Sequence, residues 1–126
     1  MTSRIYNTSV DCADPWELAQ FWSQVLAKPI DPDCSPGDEE VAVQLGDDSD
    51  LLFMRVPEPK TVKNRMHLCL EPSQAREVEV DRLLGLGATL LSDLRNADGT
   101  GWAVLADPEG NELCVLRSAA ERAATS

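Results

Sequence analysis

The spacing of apolar and polar positions changes period several times along this chain, and each change marks an element. Ile5–Val10 alternates with period two, placing Tyr6, Thr8 and Val10 on one strand face and Ile5, Asn7 and Ser9 on the other. Asp14-Pro15 then supplies a helix N-cap followed by proline at the first helical position. Leu18, Phe21, Trp22 and Val25 follow at the spacing of a buried helical stripe, which predicts a helix from Pro15 to about Leu26, closed by Lys28-Pro29. Asp31–Glu40 is polar and carries two prolines, and reads as an exposed loop with a weak edge strand. Glu40–Leu45 alternates as a strand, Gly46–Asp50 is a turn, Leu51–Val56 is an apolar strand, and Pro57–Lys63 is a connector.

Beyond the connector the order begins again. Arg65–Leu70 reads as a strand, and Pro72-Ser73-Gln74 opens a helix through about Leu86, with Val80, Leu83 and Leu84 apolar and Gly87 as its stop. Thr89–Ser92 is a short strand and Asp93–Gly101 a polar loop. Two apolar runs, Trp102–Ala106 and Leu113–Leu116, then flank the turn formers D-P-E-G-N, and this is a hairpin. If Leu113 and Val115 face the core, Glu112, Cys114 and Leu116 face away. Ser118–Ser126 reads as an Ala-rich, frayed tail. Each half, about 4–56 and 64–117, therefore follows a βαβββ order around the 57–63 connector. The duplication predicts a single α+β domain over 1–126, its two sheets curled into a cupped, partly open β-barrel with the helices outside.

Composition narrows the partners. A chain of 126 residues, 43% hydrophobic and 26% charged, can build one core without disulfide or metal staples. Its net charge of −11 argues against nucleic acid and against an anionic membrane surface, both of which need a basic footprint. No apolar run approaches the roughly 20 residues of a membrane span, and Met-Thr-Ser-Arg-Ile-Tyr offers no signal-peptide core. The expected location is cytoplasmic. Cys12, Cys34, Cys69 and Cys114 show no C-x-x-C spacing and read as reduced thiols. No P-loop, G-x-G-x-x-G, G-x-S-x-G or H-E-x-x-H pattern occurs.

Four stretches are recognisable: D-C-A-D-P-W-E-L-A-Q-F-W-S-Q-V-L (11–26), N-R-M-H-L-C-L (64–70), L-G-A-T (86–89) and D-P-E-G-N-E-L-C-V-L (107–116). Together they resemble the vicinal oxygen chelate superfamily, and within it the glyoxalase-like domains. The superfamily also holds glyoxalase I, the bleomycin-resistance proteins and the extradiol dioxygenases. The resemblance implies paired βαβββ modules and a homodimer. It also implies metal-ligand positions near Asn7, Met54, His67 and Cys114. Only His67 is a usual ligand there, and Cys114 stands where the metalloenzymes carry a glutamate. A hard or borderline ion wants carboxylates and imidazoles, so the expectation is no metal ligand set and no cofactor. The alternative is a divalent ion (Zn, Ni, Fe or Mn) in a departed set.

The leading functional expectation is a small-molecule-binding protein that sequesters an organic ligand, in the manner of the bleomycin-resistance proteins. Its ligand-binding candidates are Asn7, Leu52, Met54, Arg65, His67, Cys69, Trp102 and Cys114. The alternative is a glyoxalase- or dioxygenase-type lyase or isomerase, using a metal or acid–base chemistry by His67 with Glu112. His67 is the only histidine. An imidazole's titration near neutrality suits proton transfer, against the plainer reading of a hydrogen-bonded cavity side chain. Cys69, two residues on, shares its parity, so a soft His67/Cys69/Cys114 zinc site is conceivable, against cysteines acting as small hydrophobes. Trp102 either stacks on a ligand at the mouth of the cup or simply packs. Arg65, sharing parity with His67, is a candidate clamp for an anionic group.

Overall fold

Asp14 and Pro15 start the first helix as the sequence implies. In the computed structural model, which describes residues 2–125, the Glu17 N–H donates to Asp14 Oδ1 at 3.2 Å, and α1 runs Pro15–Leu26. Its stop is Ala27, in the left-handed region at φ 52°, with the Lys28 N–H donating to the Ser23 carbonyl at 3.1 Å, one residue ahead of the expected Lys28-Pro29. The chain divides into two compact units, one ending at Lys60 and one starting at Thr61.

The first unit holds β1 (Asn7–Cys12), α1, β2 (Glu40–Gly46) and β3 (Ser49–Arg55). The sheet order is β1-β3-β2, with β1 parallel and β2 antiparallel to β3. Leu18, Phe21, Trp22 and Val25 of α1 are buried, as are Val41, Val43, Leu51 and Phe53, which share one face of the sheet. β1 is displaced two residues from the expected Ile5–Val10. Ile5 and Tyr6 are exposed, whereas Cys12 is buried and its thiol donates to the Met54 carbonyl. The β2–β3 turn narrows to Asp47-Asp48, both at positive φ, the geometry of a tight hairpin loop. The weak edge strand expected within 31–40 is replaced by a single bridge between Ile30 and Val43, because Pro32 and Pro36 remove ladder donors there. This unit is therefore three-stranded.

The second unit holds β4 (Leu68–Leu70), α2 (Arg76–Leu86), β5 (Thr89–Arg95), β6 (Gly101–Ala106), β7 (Glu112–Val115) and α3 (Ala119–Thr125). Its sheet order is β4-β7-β6-β5, with β4 parallel to β7 and the other pairs antiparallel. Ala103, Leu105, Leu113 and Val115 are fully buried, as is Leu83 of α2, with Val80 nearly so. Each buried leucine contributes roughly 1.5–3 kcal/mol relative to exposure. Leu84, expected in that stripe, is exposed.

Three boundaries differ from expectation. β4 covers only Leu68–Leu70, leaving residues 65–67 ahead of it. β5 continues to Arg95, since Asp93 and Arg95 pair on one face while Ser92 and Leu94 take the other. The tail is helical rather than frayed over Ala119–Thr125, and Ser126 lies outside the described residues. Ser118 and Glu121 form a reciprocal cap, the Glu121 N–H donating to Ser118 Oγ at 3.1 Å and the Ser118 N–H to Glu121 Oε1 at 2.9 Å. That carboxylate also accepts the Arg76 N–H at 2.8 Å, serving α2, whose own cap residue Ala75 has no side-chain hydrogen bond. Among the described residues the architecture is α+β, two small sheets with three helices, as βαβββ modules imply, and neither sheet closes into a full barrel. Among the described residues, no helix is long and apolar enough to cross a membrane.

Candidate functional site

With Leu113 and Val115 committed to the core, alternation sends Glu112 and Cys114 to the opposite face of the second unit's sheet. Strand register extends that face across all four strands. Cys69 pairs with Cys114, Cys114 with Val104, and Val104 with Ser92, so one row of side chains crosses the sheet. Leu94 pairs with Trp102 beside it. The register shifts between Leu90 and Ser92, and the extra residue, Leu91, also lines the face. The result is a cleft of about 780 Å³ with a chemical gradient. Imidazole, thiols and a carboxylate lie along β4 and β7, and apolar side chains lie along β6 and β5.

Two devices hold these strands. At the β6–β7 turn the buried Asp107 accepts the Glu109 and Asn111 N–H groups on Oδ1 at 2.9 and 3.0 Å, and the Asn111 side-chain amide on Oδ2 at 2.9 Å. At the start of β6, Gly101 has φ +86°, and a Cβ there would stand 1.9 Å from the Leu94 carbonyl oxygen. Only glycine permits β5 and β6 to meet this closely. The buried Arg76 reaches the same point, its Nη1 donating to the Gly101 carbonyl at 2.7 Å.

The donor atoms of His67, Cys69 and Cys114 all lie within 4.8 Å of one another. His67 and Cys69 are exposed and Cys114 is buried. Burial pushes the Cys114 thiol up from its ordinary value, the neighbouring Cys69 adds to this, and Lys63 opposes it only weakly. Cys114 is therefore a protonated thiol at neutral pH, which removes support from its acting as a free thiolate nucleophile. Glu112 lines the cleft, yet its Oε2 accepts the Asn64 N–H at 3.1 Å while its own N–H donates to Asn64 Oδ1 at 3.5 Å. This reciprocal clip ties the approach to β4 onto β7.

Of the residues singled out in the sequence, the cleft brings together His67, Cys69, Trp102, Glu112 and Cys114. Arg65 is exposed, precedes β4 and is not among the lining residues. Asn7, Leu52 and Met54 are half-buried in the first unit, on the sheet face opposite Leu51 and Phe53. Lys63, Leu91, Ser92, Leu94, Val104 and Leu116 complete the lining. Val104 and Leu116 carry the same parity as Trp102 and Cys114 and were legible from the hairpin. Leu94 was hidden by the charged Asp93 and Arg95 around it, and the bulge at Leu91 has no sequence signal.

A family model described as a glyoxalase-like domain matches residues 7–116. No curated protein matches this sequence. Among solved structures, the hypothetical protein SA1046 from S. aureus superimposes with a TM-score of 0.69 at 18% identity, covering 93% of this chain and 95% of its own. A glyoxalase/bleomycin resistance protein/dioxygenase family enzyme from Burkholderia phytofirmans PsJN gives 0.68 at 17% identity, covering 90% and 97%. A mutant of the genomically encoded fosfomycin resistance protein FosX from Listeria monocytogenes, complexed with Mn(II) and 1S,2S-dihydroxypropylphosphonic acid, gives 0.69 at 13% identity, covering 97% and 95%.

Proposed function

The chain belongs to the glyoxalase-like domain family, and on that premise we propose that it binds a small organic ligand in the second unit's cleft without the carboxylate-held divalent ion of the family's metalloenzymes. The positions that the resemblance assigns to metal ligands hold an amide (Asn7), a thioether (Met54), an imidazole (His67) and a thiol (Cys114). This donor set lacks the carboxylates such an ion prefers and does not fit it.

The observation that carries the binding reading is the wall itself. Leu91, Leu94 and Trp102 keep 52%, 45% and 43% of their surface exposed, side by side in a cleft whose far edge carries the polar groups. A contiguous apolar wall beside a few convergent polar side chains is the ordinary build of a small-molecule site. The fitting ligand has a flat apolar body for Trp102 and Leu94 and a polar end reaching His67. The chemistry asked of the protein is sequestration.

A fluorescent apolar anion, 8-anilinonaphthalene-1-sulfonate, tests this. Covering the open part of Trp102 removes roughly 90 Å² from water, worth about 2 kcal/mol or about thirtyfold in affinity. Trp102→Ala should weaken probe binding by that factor, and Leu94→Asp should abolish it. Unchanged binding in both folded variants refutes the reading. The resemblance also implies a homodimer. Should a second copy cover this wall instead, light scattering would show the mass halving in Leu94→Asp and no probe binding to the dimer.

A further inference from the structure

We propose that His67, Cys69 and Cys114 form a binding site for one zinc ion, with a fourth coordination position opening onto the cleft. The inference rests on the cleft reading for that open position, whereas the three donors stand on their own geometry.

Cys69 and Cys114 are register partners on adjacent parallel strands, so their thiols leave the same sheet face side by side. His67 lies two residues before Cys69, and one of its ring nitrogens falls with both sulfurs inside a 4.8 Å span. Tetrahedral zinc, with Zn–S about 2.3 Å and Zn–N about 2.0 Å, needs donors roughly 3.5–3.8 Å apart. A contraction of about 1 Å is within reach of side-chain rotation at His67 and Cys69, which are exposed, while the buried Cys114 stays fixed.

The donors are softer than the carboxylate-bearing sets that the resemblance implies. Two thiolates and an imidazole match a thiophilic ion, and two thiolates neutralise its charge. A Cys2His set with one open position is a known zinc arrangement for sites that admit a further ligand. The set draws on Cys69, which is outside the positions that the resemblance assigns to metal, and needs nothing from the first unit. Cysteines acting merely as small hydrophobes would be buried, and Cys69 is exposed. Binding must displace the thiol protons, so affinity rises with pH.

The test uses the whole chain, fully reduced, titrated with Co²⁺ as the spectroscopic stand-in and then with Zn²⁺. One equivalent of Co²⁺ should give thiolate-to-metal charge transfer in the near ultraviolet, bleached by one equivalent of Zn²⁺. Cys69→Ser and His67→Ala should each weaken Zn²⁺ at least tenfold. Cys34→Ser, in the first unit, should leave it unchanged. The exposed Cys69 position carries the test should Cys114→Ser cost stability. No charge-transfer band in the reduced protein, or a band and affinity indifferent to Cys69→Ser, overturns the proposal. Naphthalene-sulfonate binding on the same samples separates the two readings. Probe binding without zinc sinks the metal site alone, and zinc binding without the probe sinks the apolar-wall reading alone.

Discussion

Removing one carboxylate from the β6–β7 turn should cost about as much stability as truncating a core side chain, because Asp107 holds two backbone donors at once. In Asp107→Ala the N–H groups of Glu109 and Asn111 lose their acceptor, as does the Asn111 side-chain amide, while the Gly110 N–H stays bonded to the Asp107 carbonyl at 2.9 Å and the Asp107 N–H to that of Asn111 at 2.9 Å. A hydrogen bond to a charged group is worth about 1.5–3 kcal/mol net. The two share one oxygen, and Pro108 beside them is exposed, so water recovers part of the loss. The expected cost is about 2–4 kcal/mol, which at an m-value of about 2 kcal/mol/M moves the urea midpoint down by about 1–2 M. Asp107→Asn keeps an acceptor oxygen without the charge and should lose about half as much. Urea denaturation followed by tryptophan fluorescence and far-ultraviolet circular dichroism measures both. A midpoint shift under about 0.3 M for alanine, or asparagine as damaging as alanine, would show that the carboxylate's acceptor role is not what holds the turn.

Two glycines in the same unit should respond to alanine with opposite signs. Gly101→Ala forces a Cβ to within 1.9 Å of the Leu94 carbonyl oxygen, a backbone atom that cannot step aside, and should destabilise by at least about 3 kcal/mol in thermal unfolding. Gly85→Ala meets nothing within 4 Å inside α2 and should stabilise by about 0.5–1 kcal/mol. The Glu121 carboxyl is held below its usual range chiefly by the Ser118 N–H. Its folded-state value lies below its unfolded one, so its stabilisation is present above the ordinary carboxylate range and is lost as pH falls through the folded value. Glu121→Gln keeps an acceptor oxygen without the charge and should therefore cost about 0.5 kcal/mol at pH 7, roughly half a helix cap. That difference should close as pH falls through the folded-state value, and a gap independent of pH would argue that the charge is irrelevant to the cap.

What was legible in the sequence was whatever rests on local rules. Asp14-Pro15 fixed the start of α1, and the D-P-E-G-N turn fixed the parity that separates Leu113 and Val115 from Glu112 and Cys114. Partnership across space was not legible. β4 looked long because Arg65–Leu70 has the right letters, but only Leu68–Leu70 finds a ladder, against Leu113–Val115. β5 looked short because charged residues read as loop, whereas a strand with one solvated face takes Asp93 and Arg95 without penalty. The tail looked disordered because its alanines bury little, and its order comes from Glu121 bridging Ser118 and Arg76, 45 residues away. The convergence of His67, Cys69 and Cys114 needed both the pairing of β4 with β7 and the parity of the hairpin. The sequence supplied only the second.

The fold and the candidate site in the second unit are two consequences of one register. Every side chain on β7 is assigned either to the core or to the cleft, so a one-residue slip would turn Glu112 and Cys114 toward the core and push Leu113 and Val115 into the cleft. The turn at Asp107 forbids that slip, since its carboxylate reaches the Glu109 and Asn111 amides only with Ala106 opposite Glu112. The reciprocal Asn64–Glu112 clip then sets where the approach to β4 meets β7, and so where His67 and Cys69 stand against Cys114. On this argument Glu112 is first a positioning residue. Glu112→Gln should weaken zinc binding by loosening the Asn64 clip even though its own carboxylate holds no metal. Asn64→Ala removes the clip's other bond, from the Glu112 N–H to Asn64 Oδ1, so the double variant should lose less than the two single losses summed, because both act on one clip. Full additivity of the two losses would show that Glu112 acts on the ion by another route.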